Sequence, residues 1–217
     1  MTYTETLKTL IGDYDVFLPI LFKHLYKCGL PVDQLESDHI CYRVSSQENY
    51  DTKKEAFLKD GHELLSEAVI NGRPICTFKL QQPIVWNYTN AAGQQQTRQI
   101  PLVELPSPKP SKPQVDGLEH VEFVTTQEFQ SFIDQYDAQI KQHGGAKWIL
   151  AALKKEINAD VEVECELTKE DKLALNHPSD SIDQRRTFSA KFHHESLEKV
   201  IEYEKALELE EQNKSKY

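Results

Sequence analysis

Two short segments of the chain share one alternating pattern of polar and apolar positions. The first covers residues 37–44 and the second residues 117–124, and each contains an acidic residue, a histidine, an aliphatic residue, a variable residue and an aromatic residue in that order. Because successive side chains point to opposite faces of a strand, the pattern predicts two strands with a histidine opposite an apolar face. A face that carries histidine and charge must meet a polar environment. The sequence therefore indicates two related modules that each offer a histidine to a common cavity.

Further periodicity predicts a helix and three more strands after the first of these segments. Residues 48–61 have the spacing of a surface helix that ends at Gly61. Strands are predicted over residues 62–70, 73–80 and 100–105. Asn71-Gly72 predicts a tight hairpin turn between the first two of these strands, since both residues tolerate positive φ. The polar stretch 87–98 is expected to be a turn or a small excursion.

The second module repeats this order with a less defined middle. A helix is predicted over residues 127–142, a half-exposed strand over 159–166, a loop around Asn176-His177-Pro178 over 173–180, and a last strand over 187–193. Between the modules, residues 107–116 are rich in proline, which cannot join a central strand and favours an extended linker.

Helical segments are predicted at both ends of the chain. Residues 4–28 carry apolar residues at three- and four-residue steps. This predicts either two helices broken near Pro19 or one helix that begins anew with Pro19 in its first turn. Gly29 is expected at a C-terminal cap. Residues 196–212 predict a helix rich in Glu and Lys.

The predicted fold class is α+β, with two βαβββ-like modules whose curved mixed sheets enclose one cavity and with additional N- and C-terminal helices. The expected organisation is a helical extension (1–36), a first module (37–106), a proline-rich linker (107–116), a second module (117–195) and a charged helix (196–217).

The amino-acid composition limits the partners that the protein is expected to bind. The chain of 217 residues is 39% hydrophobic, which allows a core of ordinary size. A net charge of -10 and a pI near 5.3, without a basic stripe, oppose binding to nucleic acid or to an anionic membrane. The four cysteines form no CxxC pair and are expected to be buried thiols of a cytoplasmic protein. Two modules in one chain can complete a cavity without dimerisation, which favours a monomer.

Three polar residues stand at matching places in the modules. His39 lies on the first strand of module one, Glu104 on its last strand, and His120 on the first strand of module two. If last strands lie beside first strands and the modules face one another, these side chains converge. Two imidazoles and a carboxylate leave open positions on a divalent metal, as catalytic sites do. Such an ion could polarise a carbonyl or activate water.

The motifs in combination resemble a known family. They are Asp38-His39-Ile40, Ile70-Asn71-Gly72-Arg73-Pro74-Ile75-Cys76, Phe78-Lys79-Leu80, Val103-Glu104-Leu105-Pro106, Glu119-His120-Val121-Glu122 and Lys191-Phe192-His193. The paired modules look like the vicinal oxygen chelate superfamily of glyoxalases, fosfomycin-modifying enzymes and extradiol dioxygenases. The motifs are similar to those of the YecM family, a bacterial group assigned to that superfamily.

This resemblance implies a divalent metal at His39, Glu104 and His120. Mixed nitrogen and oxygen ligands suit zinc, nickel, manganese or ferrous iron. The resemblance also implies a small-molecule ligand or substrate.

The fourth metal ligand is open at this point. Superfamily members usually carry a Glu on the last strand of module two, but residues 189–193 contain none here. His193, Glu122 or a water could take its place. Lys191 on the same strand could instead indicate that the site no longer binds a metal.

Other polar residues have two open interpretations each. Arg73 and Lys79 share one face of a strand, and they could bind a carboxylate or phosphate of the substrate or pair with some of the 35 acidic residues. Glu122 could act as a general base beside the metal, or it could orient one of the histidines.

The leading functional hypothesis is a metal-dependent enzyme that acts on a small oxygen-rich metabolite by isomerisation, addition or dioxygenation. The alternative is a non-catalytic protein that binds a small molecule in the same fold. A third hypothesis is a scaffold that assembles through the charged C-terminal helix.

Overall fold

The computed structural model of the protein describes residues 2–110, 114–155, 157–175 and 187–214. Asn176-His177-Pro178 of the predicted loop lies outside the described residues, as does the centre of the predicted linker at 111–113.

The helices are α1 (Tyr3–Ile11), α2 (Tyr14–Lys27), α3 (Gln47–Lys59), α4 (Phe129–His143), α5 (Lys169–Leu175) and α6 (Leu197–Lys214). The strands are β1 (Glu36–Arg43), β2 (Glu63–Ile70), β3 (Arg73–Thr89), β4 (Gln95–Pro106), β5 (Gly117–Val124), β6 (Ala146–Ile149), β7 (Asp160–Glu166) and β8 (Thr187–His193). Short 3-10 turns lie at Val32–Gln34 and Ala151–Lys154.

The strands of the described chain form one mixed sheet in the order β2-β3-β4-β1-β5-β8-β7-β6. In each half the last strand lies parallel to the first, β4 beside β1 and β8 beside β5. The two first strands, β1 and β5, pair antiparallel at the centre and join the halves. An approximate two-fold axis therefore relates β1-α3-β2-β3-β4 to β5-α4-β6-β7-β8. The predicted α+β class is confirmed, with a curved sheet that leaves β2 and β6 as open edges.

Helices pack on the apolar face of the sheet. Ile40, on the central strand β1, is fully buried there, as the alternation of the sequence predicts. The ring of Phe22 in α2 lies 6.0 Å from that of Phe123, and the ring of Phe17 lies 4.5 Å from that of Phe188. Burial of each such ring contributes roughly 1.5–3 kcal/mol. These contacts fix α2 across both modules and leave the opposite face of the sheet to polar residues.

Two expectations from composition concern the cysteines and the membrane. All four cysteines are free and buried, as predicted. Among the described residues, no helix combines the length and the apolar character that a bilayer crossing requires.

The N-terminal helical segment breaks at a place different from the predicted one. The chain turns at Gly12, with φ of 87°, and Asp13 caps α2 by accepting a bond from the backbone N–H of Asp15. Pro19 lies inside α2 and leaves the carbonyl of Asp15 without its helical partner. Because Pro19 is exposed, water can bond this carbonyl and the helix continues. Gly29 follows α2 with φ of 71°, as expected at a C-terminal cap.

The predicted excursion over 87–98 is wrong, because most of this stretch extends β3 and β4 into a long hairpin. The chain leaves the strands only for a turn at residues 90–94. Trp86 stacks on Tyr88 at 4.2 Å between ring centroids, and it lies 4.9 Å from Phe22 of α2. Packing on α2 therefore stabilises two strands whose exposed residues are as polar as those of a loop.

One strand of module two was absent from the prediction. β6 pairs antiparallel with β7 at the edge of the sheet and supplies the fourth strand of the module. Its four residues are too few to show an alternating pattern.

A buried carboxylate joins α2, α4 and α5. Asp171 of α5 is 2% exposed, lies 2.9 Å from Nε2 of His24 and forms an ion pair with Lys23. Nδ1 of His24 in turn lies 3.1 Å from Nε2 of His143 in α4. Burial raises the pKa of this carboxyl, but the bonds from Lys23 and His24 outweigh burial and hold the pKa well below its ordinary value.

We expect Asp171→Asn to lower the free energy of unfolding at neutral pH by about 1–3 kcal/mol, because the amide loses both charge-assisted bonds. A carboxyl with a depressed pKa stabilises the fold above its unfolded pKa, and this stabilisation is lost as the pH falls through the folded pKa. The difference between variant and wild type should therefore shrink below about pH 4. Urea denaturation followed by circular dichroism over this pH range measures the effect. An undiminished difference at the lowest pH at which the protein stays folded would contradict this account.

Candidate metal centre

Two rows of side chains cross the polar face of the sheet, because residues opposite one another on neighbouring strands share a face. The first row is Glu63, Lys79, Leu102, His39, Glu122, Lys191, Glu162 and Ile149, and the second is Ser66, Thr77, Glu104, Cys41, His120, Ser189, Glu164 and Lys147. Most of the residues predicted for the site thus meet at the middle of the sheet.

A β-bulge precedes each of the two central histidines. Asp38 is the extra residue of β1, and Glu119 is the extra residue of β5. A bulge bends the strand and re-aims a side chain, so each acidic residue reaches its neighbouring histidine. Oδ2 of Asp38 lies 2.9 Å from Nδ1 of His39, and Oε2 of Glu119 lies 3.2 Å from Nδ1 of His120. Both imidazoles are therefore held by Nδ1 and present Nε2 to the centre of the sheet.

The Nε2 atoms meet two carboxylates at this centre. Ligand atoms of His39, Glu104, His120 and Glu122 all lie within 4.8 Å of one another. Oε1 of Glu122 is 3.3 Å from Nε2 of both histidines, and Oε2 of Glu104 is 3.9 Å from Nε2 of His120. We call these four residues the central cluster.

His193 lies beside the central cluster on β8. Its Nε2 is 3.5 Å from Oδ2 of Asp38 and 3.7 Å from Oε2 of Glu122, and its Nδ1 bonds the carbonyl of Glu195. His193 is grouped by distance with Asp38 and His39, but not with all four residues of the central cluster. His193, a possible ligand from the sequence, therefore lies near the central cluster but contacts Asp38 and Glu195 as well as Glu122.

The three histidines are buried, at 1% exposure or less, and their Nε2 atoms make no hydrogen bond of good geometry, although carboxylate oxygens lie 3.3–3.7 Å away. Buried polar atoms almost always have a close partner, so these loose contacts call for an explanation. A divalent cation between His39 and His120 would satisfy two of the Nε2 atoms, while that of His193 faces Asp38 and Glu122. Imidazole nitrogen and carboxylate oxygen form the mixed donor set of zinc, nickel, manganese and ferrous iron sites. The residues present thus fit a metal.

The electrostatics of the centre favour a cation. Burial disfavours the charged form of His39, but the carboxylates of Glu122 and Asp38 outweigh burial and raise its pKa to about 10. Burial acts to raise the pKa of Glu122, but Lys191 and His39 hold it well below its ordinary value. The same negative groups that stabilise a proton on an imidazole would stabilise a metal ion in its place.

The last strand of module two carries a cation at the cluster. Lys191 lies opposite Glu122, and its Nζ is 2.7 Å from Oε1 of that residue. The position is occupied in module one by Glu104, which lies opposite Cys41. The last strand of module two therefore carries an ammonium at the position equivalent to the carboxylate of Glu104 in module one.

The two predicted substrate-binding residues lie on β3, outside the central cluster. Arg73 is buried and donates from Nη1 to the carbonyl of Ser107 at 2.5 Å. Nζ of Lys79 lies 2.6 Å from a carboxylate oxygen of Glu198 in α6. In this structure both cations thus bond groups of the chain itself.

Sequence reasoning gave no role to Asp38, Glu119 and Arg43. Asp38 also accepts a bond at 2.9 Å from the backbone N–H of Leu197, where α6 begins, and Arg43 pairs with Glu119 through its Nε. The acidic residue before each histidine was visible as part of the repeat. The bond between this acidic residue and the histidine could not be predicted, because alternation alone places the acidic side chain on the apolar face of the strand. Only the bulge turns it towards the polar face.

Paired βαβββ modules on one sheet, with histidines of both first strands at a carboxylate-rich centre, define a class of two-module proteins with a candidate metal site. The profile of the YecM family, described as YecM protein, matches residues 6–204, so the chain belongs to that family.

The chain is similar to Protein YecM of Escherichia coli (strain K12), with 34% identity over 120 residues. It is also similar to an uncharacterized protein of Haemophilus influenzae, with 31% identity over 121 residues. Each alignment covers 55% of this chain and 58% of the relative.

Two solved structures are also similar to this one. A structural genomics structure, Protein EC4020, has 25% identity and a TM-score of 0.60 over 93% of this chain and 92% of its own. A methylmalonyl-CoA epimerase in complex with methylmalonyl-CoA and NH4+ has 12% identity and a TM-score of 0.40 over 75% of this chain and 96% of its own.

We expect Asp38→Ala to lower the free energy of unfolding by about 1–3 kcal/mol, because it leaves Nδ1 of His39 and the N–H of Leu197 without their acceptor. Asp137→Ala is the matched control, since Asp137 pairs with Lys141 on the surface of α4. We expect the control to change stability by less than about 0.5 kcal/mol. Urea denaturation compares the two, and equal losses would contradict a structural role for Asp38.

Proposed function

We propose that this protein is a metal-dependent enzyme that acts on a small oxygen-rich metabolite. The observation that carries the proposal is the pair of buried Nε2 atoms of His39 and His120, which make no hydrogen bond of good geometry and lie beside the carboxylates of Glu104 and Glu122. Two other features support it: each module contributes a histidine from its first strand, and the pairing of β1 with β5 brings these histidines together.

His39, His120, Glu104 and Glu122 are the proposed ligands. Glu122 is proposed as the fourth ligand in preference to His193 or a water, and the equal distance of its Oε1 from both Nε2 atoms supports this choice. His193 is proposed as a neighbour that holds Asp38 and Glu122 in place. A depressed pKa also makes Glu122 a weak proton acceptor, which favours the ligand role over that of general base.

A bound divalent ion would supply Lewis acidity to neighbouring oxygens of the substrate, which suits isomerisation or addition. Dioxygenation would in addition require a redox-active ion such as ferrous iron. The chain's own residues orient and enclose the site. Asp38 and Glu119 fix the two imidazoles by their Nδ1 atoms. On β3, an anionic group of the substrate would replace Glu198 as the partner of Lys79 or would approach Arg73.

Membership of the vicinal oxygen chelate superfamily is part of this proposal. It is supported by the paired βαβββ modules, by the parallel placement of β4 beside β1 and of β8 beside β5, and by ligands on first and last strands. Glu104 supplies the last-strand carboxylate of module one.

The alternative function is a non-catalytic protein that binds a small molecule. An open cleft of about 1000 Å³ between α2 and the β3-β4 hairpin favours it, because Tyr26, Trp86 and Tyr88 line this cleft. None of the proposed metal ligands lines the cleft. The two rows that contain the central cluster hold no aromatic residue, so an aromatic ligand would not be bound by stacking there.

We expect the purified protein to contain about one divalent ion per chain, or to take one up on reloading. His39→Gln and His120→Gln should each abolish stoichiometric binding while the protein stays folded, because each removes one of two nitrogen ligands. His193→Gln should weaken binding and retain the stoichiometry. Elemental analysis of protein purified without affinity tag or chelator, with circular dichroism as the test of folding, measures this.

His194→Ala is the matched control, since His194 is exposed and stacks on Phe129 beside the site. It should bind metal as the wild type does. Retained stoichiometric binding in both His39→Gln and His120→Gln would contradict the proposed centre. Absence of binding in the wild type after reloading, together with binding of an aromatic probe such as 8-anilinonaphthalene-1-sulfonate at the cleft, would favour the alternative.

A further inference from the structure

The approximate two-fold axis allows the two halves of the centre to be compared residue by residue. It exchanges His39 with His120, and it exchanges the residue two places after each histidine, Cys41 with Glu122. The partners of these on the last strands are Glu104 opposite Cys41 and Lys191 opposite Glu122. Module one thus has a thiol beside a carboxylate, whereas module two has a carboxylate beside an ammonium.

This comparison places Lys191 at the position of a symmetry-related ligand carboxylate. In module two the carboxylate stands on β5 as Glu122, and β8 carries the ammonium of Lys191 at the position equivalent to Glu104. The centre therefore contains two carboxylates and one ammonium.

The ammonium of Lys191 contacts the same oxygen that faces the histidines. Oε1 of Glu122 is 2.7 Å from Nζ of Lys191 and 3.3 Å from Nε2 of both His39 and His120. The side chain of Lys191 is 19% exposed, so solvent screens its charge only in part. Glu162 follows it in the row on β7, and its charge also favours the ammonium.

A divalent ion bound to Nε2 of the histidines would therefore share Oε1 of Glu122 with the ammonium of Lys191. Like charges this close in a partly buried site repel strongly, so each cation weakens the hold of the other on the shared oxygen. A residue with only a supporting role would have the opposite effect, because its removal would weaken the metal site.

We propose that Lys191 determines the metal affinity of the centre, as a built-in cation that competes with the metal ion for Glu122. The metal is then held weakly and exchangeably, and the position that symmetry gives to a fourth carboxylate on β8 stays open to water or to an oxygen of the substrate. This inference rests on the proposed function, since it concerns the same centre.

The test is a set of substitutions at Lys191 in the full chain. Lys191→Met removes the charge, Lys191→Glu restores the symmetric pair of last-strand carboxylates, and Lys191→Arg keeps the charge. Lys147→Met is the matched control, because Lys147 pairs with Glu164 in the second row, away from the central cluster. Affinity for Zn²⁺ is measured by competition with a chromophoric chelator, and the ligand set by the visible absorption spectrum of the Co²⁺-loaded protein.

We expect Lys191→Met to bind Zn²⁺ at least about tenfold more tightly than the wild type, because it removes a full charge next to the ion. Lys191→Glu should bind more tightly still and change the Co²⁺ spectrum, because an additional oxygen reaches the ion. Lys191→Arg and Lys147→Met should stay within about threefold of the wild type. The gain from Lys191→Met should shrink when Glu122→Gln removes the contested carboxylate.

Equal or weaker Zn²⁺ binding by Lys191→Met, in a protein that unfolds in urea as the wild type does, would overturn this inference and leave the proposed centre intact. No Zn²⁺ binding by the wild type, Lys191→Met or Lys191→Glu would overturn the inference and the proposed function together. Binding by Lys191→Met and Lys191→Glu with none measurable in the wild type would support the competition at Glu122 and would contradict the proposed function of the wild type.

Discussion

The bond between each central histidine and the acidic residue before it is the interaction on which the rest of the site depends. A buried imidazole can turn about its side-chain bonds, and either nitrogen can face a partner. Asp38 and Glu119 remove that freedom by binding Nδ1, and the bulges make this possible within a strand. Two rigid Nε2 atoms then meet at the central cluster. The cost of leaving these atoms without a full hydrogen bond inside the protein would favour a cation in the proposed metal site.

Internal duplication explains how two short strands far apart in sequence produce one centre. The antiparallel pair of β1 and β5 lies across the approximate two-fold axis, which passes beside the pair Ile40 and Val121, so residues close to the axis on one strand lie near their counterparts on the other. Equivalent positions of a symmetric backbone can carry different side chains. Cys41 opposite Glu104 and Glu122 opposite Lys191 fill equivalent positions with different groups, and this difference distinguishes the chain from a centre with one carboxylate on each last strand.

One face of the sheet is apolar and packs against helices, whereas the other carries the polar residues of the candidate metal centre. Aromatic and aliphatic side chains bury one face under α2 and its neighbours, which fixes the curvature and register that the other face requires. The N–H of Leu197 binds Asp38, so the start of α6 is bonded to a group that also orients His39. A movement of α6 would therefore shift Asp38 and, through it, His39, without any change in the sheet.

The alternation of polar and apolar residues was enough to predict the two modules, the fold class, the Asn71-Gly72 hairpin and the candidates His39, Glu104 and His120. Such features depend on local periodicity and on the backbone freedom of single residues. Four other features became visible only in the folded protein: the continuation of β3 and β4 through a polar stretch, the break at Gly12, the bulges and the pairing of Lys191 with Glu122. These depend on contacts between residues distant in the chain, or on one extra residue in a strand, and no local pattern records either of them.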